Sequence, residues 1–95
     1  MITVLTKLKA KNKDSSKKLK QLLEILQIET PDEKGSILYE IYNSDKDVTA
    51  FYIFEKWATQ FDLDNHIVLT KNKGYDLQAF ELLDNDLENI ILSRI

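Results

Sequence analysis

Phe51-Tyr52-Ile53-Phe54-Glu55-Lys56-Trp57 is the stretch that decides the fold. Side chains along a strand point alternately to opposite faces, so Phe51, Ile53 and Trp57 share one side while Tyr52 and Phe54 share the other. Both faces are apolar, and water cannot be the neighbour of both. Helices can cover one of them. The other then needs protein as well, because large exposed apolar patches are unusual on monomers. A homodimer in which the helix-free sheet faces meet is the simplest solution.

Reading outward, Asn43-Ser44-Asp45-Lys46-Asp47 is a turn that joins a strand over Val48 to Trp57 to one over Ser36 to Tyr42. In the latter, Ile37, Tyr39 and Ile41 alternate with Leu38, Glu40 and Tyr42, which makes an antiparallel hairpin. Upstream, Thr30-Pro31-Asp32-Glu33-Lys34-Gly35 ends a helix, since Pro31 disfavours helical geometry before it and Gly35 permits positive φ. Leu19, Leu22, Leu23 and Leu26 give that helix one apolar stripe, and Asp14 or Ser15 is its expected cap. Ile2 to Ala10 alternates as a half-buried first strand.

Downstream, Thr59 and Asp62 form a capping-box-like start to a helix that turns Leu63, Ile67 and one of Val68 or Leu69 inward. Lys71-Asn72-Lys73-Gly74 interrupts it. A short helix from Tyr75 to Leu83 follows, with Leu77, Phe80 and Leu82 or Leu83 inward. Asp84-Asn85-Asp86 then turns the chain into a last strand over about Leu87 to Ile95. The order βαββααβ predicts a ferredoxin-like α+β fold, a four-stranded antiparallel sheet with its helices on one face. No repeat, low-complexity tract or linker divides residues 1–95, which read as a single domain.

Composition narrows the function. Hydrophobic residues make up 43% and charged residues 31% of the chain, as in an ordinary globular protein. A net charge of −3 argues against nucleic acid, and the cluster Lys7, Lys9, Lys11, Lys13, Lys17, Lys18 and Lys20 reads as a solvated strand edge and helix face. There is no cysteine, hence no disulfide, thiolate metal site or thiol nucleophile. One histidine and no glycine-rich loop leave metal and phosphate sites unsupported, and Asp84-Asn85-Asp86 lacks the glycine and distant glutamate of a calcium loop. No run of about 18 apolar residues could span a membrane and no leader is evident, so a cytoplasmic protein is expected.

The strand ending in Trp57, the eight residues that follow it, His66, and then Tyr75 and Phe80 resemble the antibiotic-biosynthesis-monooxygenase-like family of dimeric α+β barrels. The resemblance implies a homodimer that binds a small flat hydrophobic molecule. It also implies a cofactor-independent monooxygenase or quinol oxidoreductase. The haem-degrading branch of that family is not matched: the first strand has no Asn, His66 stands where that branch has its helical Trp, and Asp76 stands near its iron-binding His. Of the polyketide-oxygenase branch, Trp57 is kept, while Ile53 and Leu63 replace an Asn and a Tyr.

The resemblance makes His66 the candidate catalytic base and Trp57, Phe51, Ile53, Leu63 and Tyr75 the candidate substrate-binding residues, with no cofactor. Each has a plainer reading beside it. Trp57 is either a wall that stacks on the substrate or core between sheet and helix. His66 is either a base that titrates near neutral pH or a packed histidine with one hydrogen bond. Tyr39, Tyr42 and Tyr52 read as amphipathic packing, and Glu40 and Glu55 as cross-strand or interface ion pairs involving Lys56 rather than an acid/base pair. The rival function is a non-catalytic module that sequesters a hydrophobic metabolite, for instance under stress.

Overall fold

The computed structural model describes residues 1–85 and 87–95. Its elements are β1 (Ile2–Lys9), α1 (Lys13–Glu29), a single 3-10 turn (Thr30–Asp32), β2 (Ser36–Asn43), β3 (Ala50–Trp57), α2 (Gln60–Asn72), α3 (Tyr75–Leu82) and β4 (Glu88–Leu92). The strands form one antiparallel sheet in the order β2-β3-β1-β4, the ferredoxin-like arrangement expected from the alternation.

Phe51, Ile53, Glu55 and Trp57 are buried on the helix-covered face of β3, whereas Tyr52, Phe54 and Lys56 on the opposite face are only partly covered. Leu8, Ala10, Leu19, Leu23, Tyr39, Phe51, Ile53 and Leu83 pack into the main core. Val4, Trp57 and Leu63 form a second cluster where β3 runs into α2.

Several local expectations change. Asn12, not Asp14 or Ser15, caps α1, its Oδ1 accepting the Ser15 amide at 2.8 Å. β3 begins at Ala50 rather than Val48 because the turn runs on: Asp47 Oδ1 accepts both the Thr49 amide at 3.0 Å and the Thr49 hydroxyl at 2.6 Å. Those two bonds, and then Lys9, hold the Asp47 carboxyl down at about 2. Ile37 sits at a register shift between Ser36 and Leu38, which takes it out of the alternation and leaves it 54% exposed. β4 stops at Leu92. Asp84 and Asn85 make a bend, and Asp86 lies outside the described residues.

The helices after β3 correct the sequence reading most. α2 buries Asp62, Leu63, His66 and Thr70, a stripe at helical spacing that is mostly polar, so Ile67, Val68 and Leu69 face outward. In α3, Leu77 is 71% exposed and Phe80 half exposed, while Leu83 is buried and Leu82 partly so.

Gly35 joins the turn to β2 with φ of +82°, and a Cβ there would run into the Asp62 side chain. The same Asp62 locks the Thr59 cap of α2: its amide donates to Thr59 Oγ1 at 3.1 Å, and the Thr59 hydroxyl donates to its Oδ2 at 2.9 Å. Gly35→Ala should therefore cost about 1–3 kcal/mol, a positive-φ alanine and a collision at once. In a chain of this size each kcal/mol lowers the melting temperature by roughly 4–8 °C, which a thermal denaturation curve would read. An unchanged melting temperature would mean that the α2 terminus moves aside without penalty.

Candidate functional site

Between the sheet and the helices lies a cavity of about 400 Å³ with a mainly apolar surface. Its floor is the covered sheet face, including Val4, Thr6, Ile53, Glu55 and Asn89. α1 contributes Leu23 and Leu26, α2 contributes Leu63, His66 and Thr70, and α3 contributes Tyr75, Asp76 and Phe80. Ile67, Phe80 and Ile91 line it while remaining substantially exposed, so they mark its mouth.

One end of the cavity carries a connected polar cluster. β3 ends at Trp57, the Ala58 amide donates to the Gly35 carbonyl at 2.8 Å, and the Thr59 cap starts α2 at once. Two turns into α2, this geometry sets the His66 ring against Trp57, with centroids 4.7 Å apart, and edge-on to Tyr39 at 5.7 Å. His66 Nδ1 lies 2.8 Å from Glu33 Oε1. An ionised carboxylate only accepts, so Nδ1 carries the proton in this pair and Nε2 is the nitrogen able to take another. Glu33 comes from the segment that Gly35 bends back onto α2.

Glu55 is the second acidic member. Its Oε1 accepts the Trp57 indole N–H at 2.8 Å, and the residue is only 6% exposed. Burial pushes its carboxyl above the ordinary range, the Trp57 hydrogen bond and the His66 charge pull it back, and Glu33 pushes it up again. Burial, and next the nearby Glu55, likewise raises the Tyr39 phenol.

A raised carboxyl binds its proton more tightly in the folded chain than in the unfolded one. The stability it contributes is present below the unfolded value of 4.5 and is lost as pH rises through the folded value. Glu55→Leu leaves the Trp57 N–H without its acceptor at either pH, so its effect on the melting temperature should be more favourable at neutral pH than near pH 4. Paired melting curves at the two pH values check this; an equal effect at both would mean that burial does not perturb Glu55.

Away from this cluster the Thr6 hydroxyl donates to Asn89 Oδ1 at 2.7 Å, tying β1 to β4 on the cavity floor. Tyr75 donates its hydroxyl to Glu29 Oε1 at 2.8 Å, which Lys73 also approaches at 3.2 Å. Among the described residues no group of three or more His, Asp or Glu is placed to hold a metal ion, and no helix is long and apolar enough to cross a membrane.

Residues 1–67 match the family described as antibiotic biosynthesis monooxygenase. The chain belongs to that family. No curated protein matches it. Among solved structures, an antibiotic biosynthesis monooxygenase superposes with a TM-score of 0.91 at 17% identity, covering 100% of this chain and 99% of that one. A conserved protein from Methanosarcina mazei gives 0.88 at 26% identity, over 99% and 92% of the two chains. A protein of unknown function from Bacteroides thetaiotaomicron, described as a possible oxidoreductase, gives 0.82 at 22% identity over 96% of each. At such identities the superpositions establish a shared fold.

On this antibiotic biosynthesis monooxygenase fold, Ile53, Leu63, His66 and Tyr75 of the sequence-derived residues come together on the cavity wall. Phe51 and Trp57 do not reach it. Phe51 is buried in the main core, and Trp57, at 0% exposure, sits behind the wall against His66 and Glu55. Tyr75 lines the rim with its hydroxyl already bound to Glu29.

Sequence reasoning missed Glu33 and misread Glu55, which makes no ion pair with Lys56: the two are neighbours on opposite faces of β3. Glu40 is exposed, accepting the Tyr42 hydroxyl at 2.7 Å. The signal for Glu55 was available, since it shares parity with Phe51, Ile53 and Trp57. Glu33 had none, because only the folded turn brings it to α2.

Proposed function

We propose that this protein is a cofactor-independent oxygenase or quinol oxidoreductase that receives a small flat hydrophobic substrate in the cavity, with residues 1–95 acting as one domain of a cytoplasmic homodimer. The observation that carries the reading is the His66–Glu33 pair at 2.8 Å on the wall of a mainly apolar cavity. A carboxylate that fixes the protonated nitrogen of an imidazole leaves the other free as a base, the arrangement general-base catalysis needs. Apolar surroundings favour a hydrophobic ring and exclude water from the anion it becomes.

In this scheme a substrate hydroxyl loses its proton to His66 Nε2. The electron-rich anion passes one electron to O₂, and the resulting radical pair combines. In the monooxygenase outcome the substrate carbon loses two hydrogens and gains one oxygen atom, and the other oxygen leaves as water. In the quinol outcome O₂ takes two electrons and two protons to become hydrogen peroxide, leaving the quinone. The family's haem-degrading chemistry is not proposed, because Asp76 stands on the cavity wall near the position where that branch has its iron-binding His.

The dimer is supported by the uncovered sheet face. The register sets Ile90 beside Leu5 and Leu5 beside Phe54, an apolar row across three strands. None of the three is exposed enough to be fully solvated, and none is buried by this chain.

Oxygen uptake with a panel of quinols is the direct test. His66→Ala should lower turnover by about 10²–10⁴-fold, the usual worth of a general base, together with a moderate fall in melting temperature, since it also empties a packed position beside Trp57 and unpairs Glu33. A lower melting temperature with turnover intact would make His66 a packing residue. No uptake with any quinol would refute the oxidative reading and leave the ligand-sequestering module.

A further inference from the structure

We propose that Glu55 is the specificity-determining residue of this cavity, its carboxylate accepting a hydrogen bond from a ligand hydroxyl, so that hydroxylated planar rings are taken in preference to their methyl ethers. The inference rests on the cavity's being a ligand site, as proposed above, and adds to it a second point of recognition that does not react.

Glu55 stands between Ile53 and Trp57 on the covered face of β3, in a row that is otherwise apolar. Burying a carboxyl there costs free energy unless its oxygens find donors. Among the described residues it has one hydrogen bond, from Trp57 Nε1 to Oε1, and it belongs to none of the salt bridges. An ionised carboxylate has about four acceptor positions, so most of its capacity is unused.

That spare capacity opens onto the cavity. Among the described residues, Thr30 Oγ1 is the fully buried side-chain polar atom without a partner, and Glu55 itself lines the cavity. Its second oxygen is therefore accessible from the ligand's side. Trp57 acts as the positioning residue: with no exposed surface it cannot swing away, and its indole N–H fixes which oxygen is held and which is offered. His66 Nε2 and Glu55 then present acceptors from helix and floor of the same cavity, and both take donors. A ring bearing hydroxyls satisfies them; a ring whose hydroxyls are methylated leaves Glu55 buried against carbon.

The test is anaerobic calorimetry with a naphthalenediol and its dimethyl ether. The wild-type protein should bind the diol about 10–100-fold more tightly than the ether, the usual range for a hydrogen bond to a charged group. Glu55→Leu should cut that preference about tenfold or more while leaving ether affinity unchanged or higher, and Glu55→Gln, which keeps an acceptor oxygen, should restore part of it. Trp57→Phe should fall between wild type and Glu55→Leu.

An unaltered preference in Glu55→Leu would overturn the proposal. So would a wild type that binds diol and ether equally, or that binds neither up to their solubility limits. If Glu55→Leu does not fold, the Gln variant and the wild-type ratio decide the matter by the same criteria. No oxygen is consumed in this experiment. A wild type that prefers the diol yet shows no oxygen uptake with any quinol would refute turnover and leave the role of Glu55 standing.

Discussion

Phe54→Asp should break the protein into monomers or unfold it. Phe54 lies mid-strand on β3 with Leu5 beside it on β1 and Glu40 on the other side on β2, all on the face that no helix covers. In the proposed dimer this row meets its own copy, and an aspartate there would be a desolvated charge between Leu5 and a like-charged Glu40, with the Lys56 ammonium, 5.7 Å from the Phe54 ring, drawn into the same interface. A buried charge costs about 3–5 kcal/mol when unpaired and less against Lys56, and twofold symmetry would impose the cost twice. Light scattering behind a sizing column should give twice the chain mass for the wild type at micromolar protein and a single chain mass, or aggregate, for the variant. A wild type that runs as a stable monomer would remove the dimer, and Phe54→Asp would then be an ordinary surface change.

Trp57→Ala should bring the chain close to unfolding. The side chain is fully enclosed, joins β3 to α2 through Val4, Leu63 and the His66 ring, and supplies the hydrogen bond of the Glu55 carboxyl. Emptying such a site costs about 3–5 kcal/mol for the cavity, and the orphaned carboxyl adds to it. Domains of this kind have only about 5–15 kcal/mol in total. Urea denaturation should show the midpoint falling by a large fraction of its wild-type value. Glu55→Leu should be more favourable in the Trp57→Ala background than in the wild type, because there it removes a carboxyl that has lost its donor instead of orphaning the indole N–H. The same effect in both backgrounds would mean that the 2.8 Å bond contributes nothing.

The alternation in β1 and β3 was enough to read sheet, hairpin and helix-covered face, because the two-residue period is set by backbone geometry and survives any tertiary context. Where the reading failed, tertiary packing had overridden composition. Ile67, Val68 and Leu69 look like the inner face of α2, yet the line through Asp62, His66 and Thr70 is the one that meets the sheet, with Asp62 needed for the cap and His66 for Glu33. Ile37 left its expected face through a one-residue bulge that no residue type announces. Trp57 and His66 were both legible as a pair; that Trp57 stands behind the wall and Glu55 in it was not, because a chain written in one dimension does not say how deep a cavity reaches.

The sheet order has a consequence for how the chain acquires its shape. β1 is an inner strand whose two neighbours are residues 50–57 and residues 88–92, both made after it. Its pairing with β4 joins Thr3 to Leu92, nearly the full length of the chain. Closing contacts so distant in sequence is slow, and a nascent chain cannot attempt it before residues 88–92 have left the ribosome. Until then one edge of β1 stays unpaired, and the Thr6–Asn89 bond that closes the cavity floor cannot form. The cavity is thus completed late, only when residues 88–92 reach β1.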